Sequence, residues 1–137
     1  MDQQGDRIMT RRILVSAVAA ALSLAGTVPA AAQAMQHPKG TQRTISGTVV
    51  DVSCHFGLGL GGDSHRQCAQ VCAERGIPLA ILGSDGKLYI PTSSAMPGEG
   101  QNERLKEFAE QRVTVTGTVF PAGGANAIQI ASIQRKA

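Results

Sequence analysis

The sequence predicts a mainly β domain, a five-stranded barrel with one helix inserted between its first two strands and another before its fourth. Segments 44–52, 112–120 and 127–133 alternate apolar and polar residues, as strands do when one face is buried. Two shorter apolar segments flank a glycine-containing turn at 83–86, which is typical of a β-hairpin. Capping and terminating residues bound two helical segments.

The first strand, 44–52, is rich in Thr and Val, and a glycine-rich loop follows it at 57–62. Ser64 then begins a helix, because Ser64 and Gln67, three residues later, form a capping box. Gly76 ends this helix, and the proline two residues later prevents its continuation. Two of the chain's three cysteines lie on this inserted helix, so the chemistry of the chain is concentrated there.

The remaining elements follow in chain order. The hairpin pairs 79–82 with 87–90, and a loop leads to Asn102, which we expect to cap a second helix through its side chain. Leu105, Phe108 and Ala109 give that helix an apolar side. The turn at 121–124 connects the last two strands.

Without the insertion, the order of the elements is β-β-β-α-β-β, which is that of the OB fold, a five-stranded Greek-key barrel. The first and fourth strands share the motif Gly-Thr-Val, beginning at Gly47 and at Gly117. A glycine within a barrel strand permits tight curvature and the close approach of a neighbouring backbone. We therefore predict an OB-like barrel with the cysteine-bearing helix packed against one end.

The N-terminal segment, 1–34, has the features of a secretory signal peptide. Three arginines precede an apolar run at 13–25, and small residues at 30–34 allow cleavage after Ala34. The apolar run is too short to span a bilayer, so we expect no stable membrane anchor after cleavage. The exported protein then comprises a flexible leader, 35–43, and an OB-like domain, 44–137, in the periplasm or outside the cell.

Two points about export stay open. The sequence does not decide between general secretion and the twin-arginine route, because Arg11-Arg12 matches the second signal only weakly. Either Met1 or Met9 can be the start. The formal net charge of +3 falls when the arginine-rich signal is removed, so the remaining domain has no charge bias that predicts a nucleic-acid partner.

Four side chains form the candidate site: Cys54, His65, Cys68 and Cys72. The last three are spaced i, i+3 and i+7, which brings them to one helix face, and Cys54 ends the preceding strand. Three thiolates and an imidazole can make a tetrahedral site for zinc or copper. His55 is a further candidate, but neighbouring strand residues point to opposite faces, so only one of Cys54 and His55 can face the site.

Two other interpretations of the cysteines stay open. In an oxidising compartment, Cys54 can pair with Cys68 or Cys72 in a disulfide that fastens the loop to the barrel. Thiol catalysis is the weakest of the three because the chain has no C-x-x-C motif. We expect no catalytic residues and leave open whether the protein is an enzyme.

Two further motifs favour no site. The glycine-rich loop at 57–62 lacks the lysine and the parallel βαβ context of a phosphate loop. Acidic residues on or beside the second helix alternate with basic ones, which predicts a solvated helix face rather than paired catalytic carboxylates; they are Glu99, Glu103, Glu107 and Glu110.

The element order, the two Gly-Thr-Val strands and the Cys…His-x-x-Cys-x-x-x-Cys insertion together resemble small exported bacterial OB-fold proteins of uncharacterised function. The resemblance covers most of the chain after the signal peptide and implies a fold rather than an activity. We expect an exported binding module whose Cys/His site binds copper or zinc. The alternative is a disulfide-stapled periplasmic domain without metal, which binds a protein partner or serves as a scaffold.

Overall fold

The computed structural model describes residues 39–137, so the predicted signal peptide at 1–34 lies outside the described residues. Five strands and three short helices make up this part of the chain. The strands are β1 (Thr41–Asp51), β2 (Leu79–Gly83), β3 (Leu88–Pro91), β4 (Arg112–Ala122) and β5 (Ala125–Arg135). The helices are α1 (Val52–Leu58), α2 (Arg66–Glu74) and α3 (Asn102–Leu105), with 3₁₀ turns at Asp63–His65 and Lys106–Phe108.

The strands close into a barrel in the order β1-β2-β3-β5-β4, with β4 returning to pair with β1. All neighbouring strands are antiparallel except β3 and β5, which are parallel. This is the predicted OB-like barrel, and the cysteine-bearing helix lies in the predicted insertion between β1 and β2. A short helix, α3, stands before β4, as the sequence also predicts.

The two predicted barrel glycines stand where a neighbouring backbone approaches closely. A β-carbon added at Gly47 would lie 2.5 Å from the carbonyl oxygen of Leu82. One added at Gly117 would overlap the carbonyl oxygen of Gln129, beside the β-bulge between Thr116 and Gly117 that bends β4. The barrel therefore depends on these positions having no side chain.

Inward-facing side chains of all five strands fill the barrel, and α3 with its 3₁₀ turn closes one end. Leu105 and Phe108 from this end pack into the same core as the strand residues. Tyr89 is buried within it, and its hydroxyl donates to Asp85 Oδ2 at 2.7 Å. The strand contribution is Ile45, Val49, Leu79, Ile81, Val113, Val115, Val119, Ile128 and Ile130.

Several predicted boundaries differ from the structure. β1 begins at Thr41 rather than at residue 44, because Thr41–Arg43 pair with residues 117–119 of β4. It ends at Asp51, whose carboxylate caps α1, so Cys54 lies in a helix and does not end a strand. The strand-based argument about His55 therefore does not apply.

The predicted helix caps are also wrong in detail. Ser64 lies inside the 3₁₀ turn that precedes α2, and neither this turn nor α2 has a side-chain cap. Asn102 does not cap its own helix. Its side chain instead donates to the carbonyls of Ala73 and Ile77, at 2.9 and 2.8 Å, and accepts from Leu79 N at 3.0 Å. Asn102 thus fastens the end of α2 to α3.

No helix within residues 39–137 combines the length and the apolar character needed to cross a bilayer.

Candidate metal centre

The candidate site lies where β1 leaves the barrel and the insertion begins. Asp51 is the last residue of β1, and Cys54 follows in the first turn of α1, its N–H donating to Asp51 Oδ1 at 3.0 Å. His65 ends the 3₁₀ turn, and Cys68 and Cys72 follow on α2. The glycine loop turns the chain back between the two helices through left-handed backbone at Gly59 and Gly62.

The four predicted ligands fall into two groups that share Cys54. In one group, ligand atoms of Cys54, His65 and Cys68 all lie within 4.8 Å of one another. In the other, those of Asp51, Cys54 and Cys72 do so. A Cys/His cluster at metal-binding distance is thereby confirmed for Cys54, His65 and Cys68. Cys72 lies outside this group and instead joins Cys54 and Asp51, a residue that the sequence does not mark as a ligand.

The ring of His65 has a buried partner on one of its two nitrogen atoms. Its Nδ1 lies 3.0 Å from Glu110 Oε1, and both side chains are buried. The other ring nitrogen, Nε2, is buried and has no hydrogen-bond partner in the described part of the chain. A carboxylate on one imidazole nitrogen fixes the tautomer and leaves the lone pair of the other for a metal.

Glu110, which the charge pattern predicts to lie on a solvated helix face, is instead buried beside His65, so that prediction is wrong. It stands after the 3₁₀ turn, where its N–H donates to Val49 O at 2.8 Å beside the end of β1. Its backbone has φ 61°, a left-handed conformation that is costly for a residue with a side chain. Its Oε2 accepts from Gly62 N at 2.9 Å, so one carboxylate holds both the glycine loop and His65.

The sequence signal for Glu110 was weak because the charge pattern around it is that of a surface helix. Glu103 and Glu107 follow this pattern, and each makes an exposed ion pair, with Lys106 and Arg135 respectively. Glu110 differs from both in lying beyond the 3₁₀ turn that ends at Phe108, a boundary that the sequence pattern does not mark. The glycine-rich loop does bind an anionic group through a backbone N–H, as such loops can. That group is the carboxylate of Glu110 in the same domain, which accepts the N–H of Gly62.

Asp51 is fully buried beside two thiols. Burial raises the pKa of its carboxyl, but hydrogen bonds from the Cys54 backbone and from the two thiol groups outweigh this effect, and the net pKa is lowered. The carboxylate form is therefore favoured. Its Oδ2 accepts no N–H or O–H hydrogen bond within the described residues, so the thiols are the donors available to it there.

The same carboxylate keeps two of the thiols protonated. The hydrogen bond to Asp51, with desolvation, raises the pKa of Cys72 from 9.0 to about 12. Desolvation and then Asp51 raise the pKa of Cys54. Without a cation, these thiols serve as hydrogen-bond donors, and a bound cation reverses this because thiolates are the ligand form.

The centre opens to solvent on one side. Cys68 is exposed, whereas Cys54 and Cys72 are half-buried. Three large apolar side chains, Phe56, Leu58 and Leu60, stand exposed on α1 and the glycine loop next to it. His55 packs its ring edge-on against Phe56 and belongs to neither ligand group.

All three cysteines are free, and no disulfide is present within residues 39–137. No known family model matches the chain, and neither the curated proteins nor the solved structures contain a match.

Proposed function

We propose that the protein is an exported metal-binding module that holds copper or zinc through Cys54, His65 and Cys68. The observation that carries this proposal is the His65 imidazole, buried beside two thiols. Its Nδ1 is engaged by Glu110, and its Nε2 has no partner within the described residues. A buried polar atom without a partner is costly, and a metal ion at this position removes that cost.

The ligand set supports a borderline or soft cation. Two thiolates and one imidazole suit Zn(II), which takes sulfur and nitrogen ligands and completes a tetrahedron with a fourth. They also suit Cu(I), which prefers thiolates. The exposed Cys68 gives an incoming ion or a competing thiol access to the site, which suits a module that binds and exchanges a metal.

A titration on the purified, reduced protein tests this proposal. Zn(II) or Cu(I) is offered in competition with a chromophoric chelator, and we expect binding by the wild type. The variant His65→Ala should bind at least about tenfold more weakly, because it removes a ligand. His55→Ala is the matched control, and its affinity should equal that of the wild type. Absence of metal binding, or equal loss in the two histidine variants, contradicts the proposal.

Export is a separate part of the proposal and rests on the N-terminal sequence. Residues 1–34 combine an arginine-rich start, an apolar run and a small-residue cleavage site. The intact mass of the protein from the periplasm or the medium should correspond to a chain beginning at Met35. A full-length chain in the membrane fraction would contradict cleavage.

A second candidate function is the binding of a protein partner without metal. The exposed Phe56, Leu58 and Leu60 favour it, because three large apolar side chains in one short segment are typical of a contact surface. The titration separates the two candidates. Replacing Leu58 by Ser should leave metal affinity unchanged if the metal function is correct, because this side chain is 70% exposed and supplies no ligand.

A further inference from the structure

The ligand atoms of the centre form two groups of three that share one sulfur atom. Cys54 belongs to both, while His65 and Cys68 lie in one group and Asp51 and Cys72 in the other. An ion about 2.3 Å from each of its sulfur ligands holds them about 4 Å apart. Within each group the atoms lie no more than 4.8 Å apart, so each group has the spacing for an ion of its own.

Each group also contains one buried atom that lacks a partner. In the first it is His65 Nε2. In the second it is Asp51 Oδ2, which has the weakly donating thiols of Cys54 and Cys72 beside it but accepts no N–H or O–H hydrogen bond within the described residues. Both residues are more than nine-tenths buried, at 7% and 0% exposure. A single ion in the first group gives a partner to His65 and leaves the Asp51 oxygen without one.

The negative charge of Asp51 also favours a second cation. The buried carboxylate of Asp51 has no basic partner among residues 39–137, whose ion pairs all involve other acidic residues. Hydrogen bonds from the Cys54 N–H and from the two thiols favour its charged form, but they bring no positive charge to neutralise it. Three thiolates and one carboxylate carry four negative charges, which two divalent ions balance.

We propose that the centre holds two Zn(II) ions bridged by the Cys54 thiolate. The outer ion is bound by Cys54, His65 and Cys68, and the inner ion by Asp51, Cys54 and Cys72. Zinc fits both groups because it accepts thiolate, imidazole and carboxylate ligands. This inference rests on the proposed metal-binding function and extends it from one ion to two.

Binding of the two ions exchanges protons for metal. Each of the three thiols gives up its proton to solvent as its sulfur binds zinc, and the imidazole of His65 binds in its neutral form. No oxidation or reduction takes place. The bridging sulfur of Cys54 forms two bonds, one to each ion, so the loss of this residue affects both positions.

Native mass spectrometry of the reduced full-length or processed protein with Zn(II) tests the proposal. Wild type and the control His55→Ala should each carry two zinc ions. His65→Ala should keep only the inner ion, and Asp51→Asn only the outer one. The asparagine retains a side-chain oxygen that can cap α1, so this variant removes the charge and preserves the fold. Cys72→Ala provides a second way to remove the inner ion and should also carry one zinc.

Two outcomes overturn the inference, and they differ in what they say of the proposed function. One zinc in the wild type, lost in His65→Ala and retained in both Asp51→Asn and Cys72→Ala, overturns the second ion and leaves the metal-binding function intact. No zinc in the folded wild type, together with no Cu(I), overturns both.

Discussion

At the residue scale, the hydrogen bond between His65 and Glu110 sets the orientation of the imidazole ring. The two carboxylate oxygens of Glu110 accept from different parts of the insertion, Oε1 from the imidazole and Oε2 from the Gly62 N–H. An amide in the same place has one acceptor oxygen and one donor nitrogen, so it cannot satisfy two donors. The left-handed backbone at this position indicates that the fold accepts strain to keep the carboxylate there.

We therefore expect Glu110→Gln to weaken Zn(II) binding about 10- to 100-fold without removing a ligand. Glu103→Gln is the matched control, since this carboxylate makes only an exposed pair with Lys106 and its loss should leave the affinity unchanged. Chelator competition measures both. Equal affinities for wild type and Glu110→Gln would mean that the hydrogen bond to His65 has no effect on the site.

The thiol of Cys72 gives a pH dependence at the same scale. Because Asp51 raises its pKa to about 12, the reactive thiolate of the metal-free protein accumulates only well above pH 9. A folded-state pKa above the unfolded one stabilises the fold below about pH 9, and this contribution is lost as the pH rises towards about 12.

We predict that alkylation of Cys72 in the metal-free protein accelerates with pH throughout this range. Asp51→Asn should move the whole rate profile to lower pH, because the largest cause of the raised pKa is removed. Peptide mass spectrometry after timed iodoacetamide treatment measures the rate at each cysteine. An unchanged profile in Asp51→Asn would show that the carboxylate does not control this thiol.

At the scale of elements, one side chain connects three segments. Asn102 donates to two carbonyls at the end of α2 and accepts the N–H of Leu79, where β2 begins. These bonds fix α2, and with it the two cysteines it carries, relative to the barrel. The hydrogen bond of Gln70 to Lys106 O adds a second link between α2 and the segment before β4.

Replacing Asn102 with Ala should lower the free energy of unfolding by about 1–3 kcal/mol, because three partly buried partners lose their hydrogen bonds. Asn126→Ala is a matched control, since this asparagine makes one long hydrogen bond, 3.4 Å to Leu88 O, and its loss should cost less than about 0.5 kcal/mol. Urea denaturation measures both. Comparable losses in the two variants would contradict the role assigned to Asn102.

Elements with strong local patterns could be predicted from the sequence, and those that depend on distant contacts could not. The alternation of residues 112–120 and the Gly-Ser-Asp-Gly turn marked the strands and the hairpin. The helix at 52–58 was missed because its cap, Asp51, is the last residue of a strand. Glu110 and Asp51 were missed as site residues because burial arises only when the insertion folds over the end of β1.

At the scale of the whole molecule, the core of the barrel draws little on the insertion. Its core side chains come mainly from the five strands and from the segment before β4, and α2 contributes Ala73. The closure of the barrel instead depends on the bend of β4 at Gly117, where a β-carbon would overlap the backbone of Gln129.

Gly117→Ala should therefore destabilise the protein by about 1–3 kcal/mol through overpacking against β5. In Gly100→Ala, the control, the new methyl group has no atom within 4 Å, and we expect a change within about 0.5 kcal/mol. Thermal denaturation of the metal-free proteins gives the comparison. Similar melting temperatures for wild type and Gly117→Ala would show that β4 tolerates a side chain at its bend.

The hydrogen bonds of Glu110 also set an order of assembly. Glu110 follows His65 by 45 positions and Gly62 by 48 in the chain. During synthesis, all three cysteines are therefore made long before the carboxylate that orients His65. The thiols alone can capture soft ions from that moment, whereas the imidazole is oriented only after the start of β4 has docked beside β1. If the protein has the proposed metal function, we therefore expect selectivity among metals to be acquired late, at barrel closure, and a truncated chain that lacks residue 110 to bind soft ions through its thiols alone.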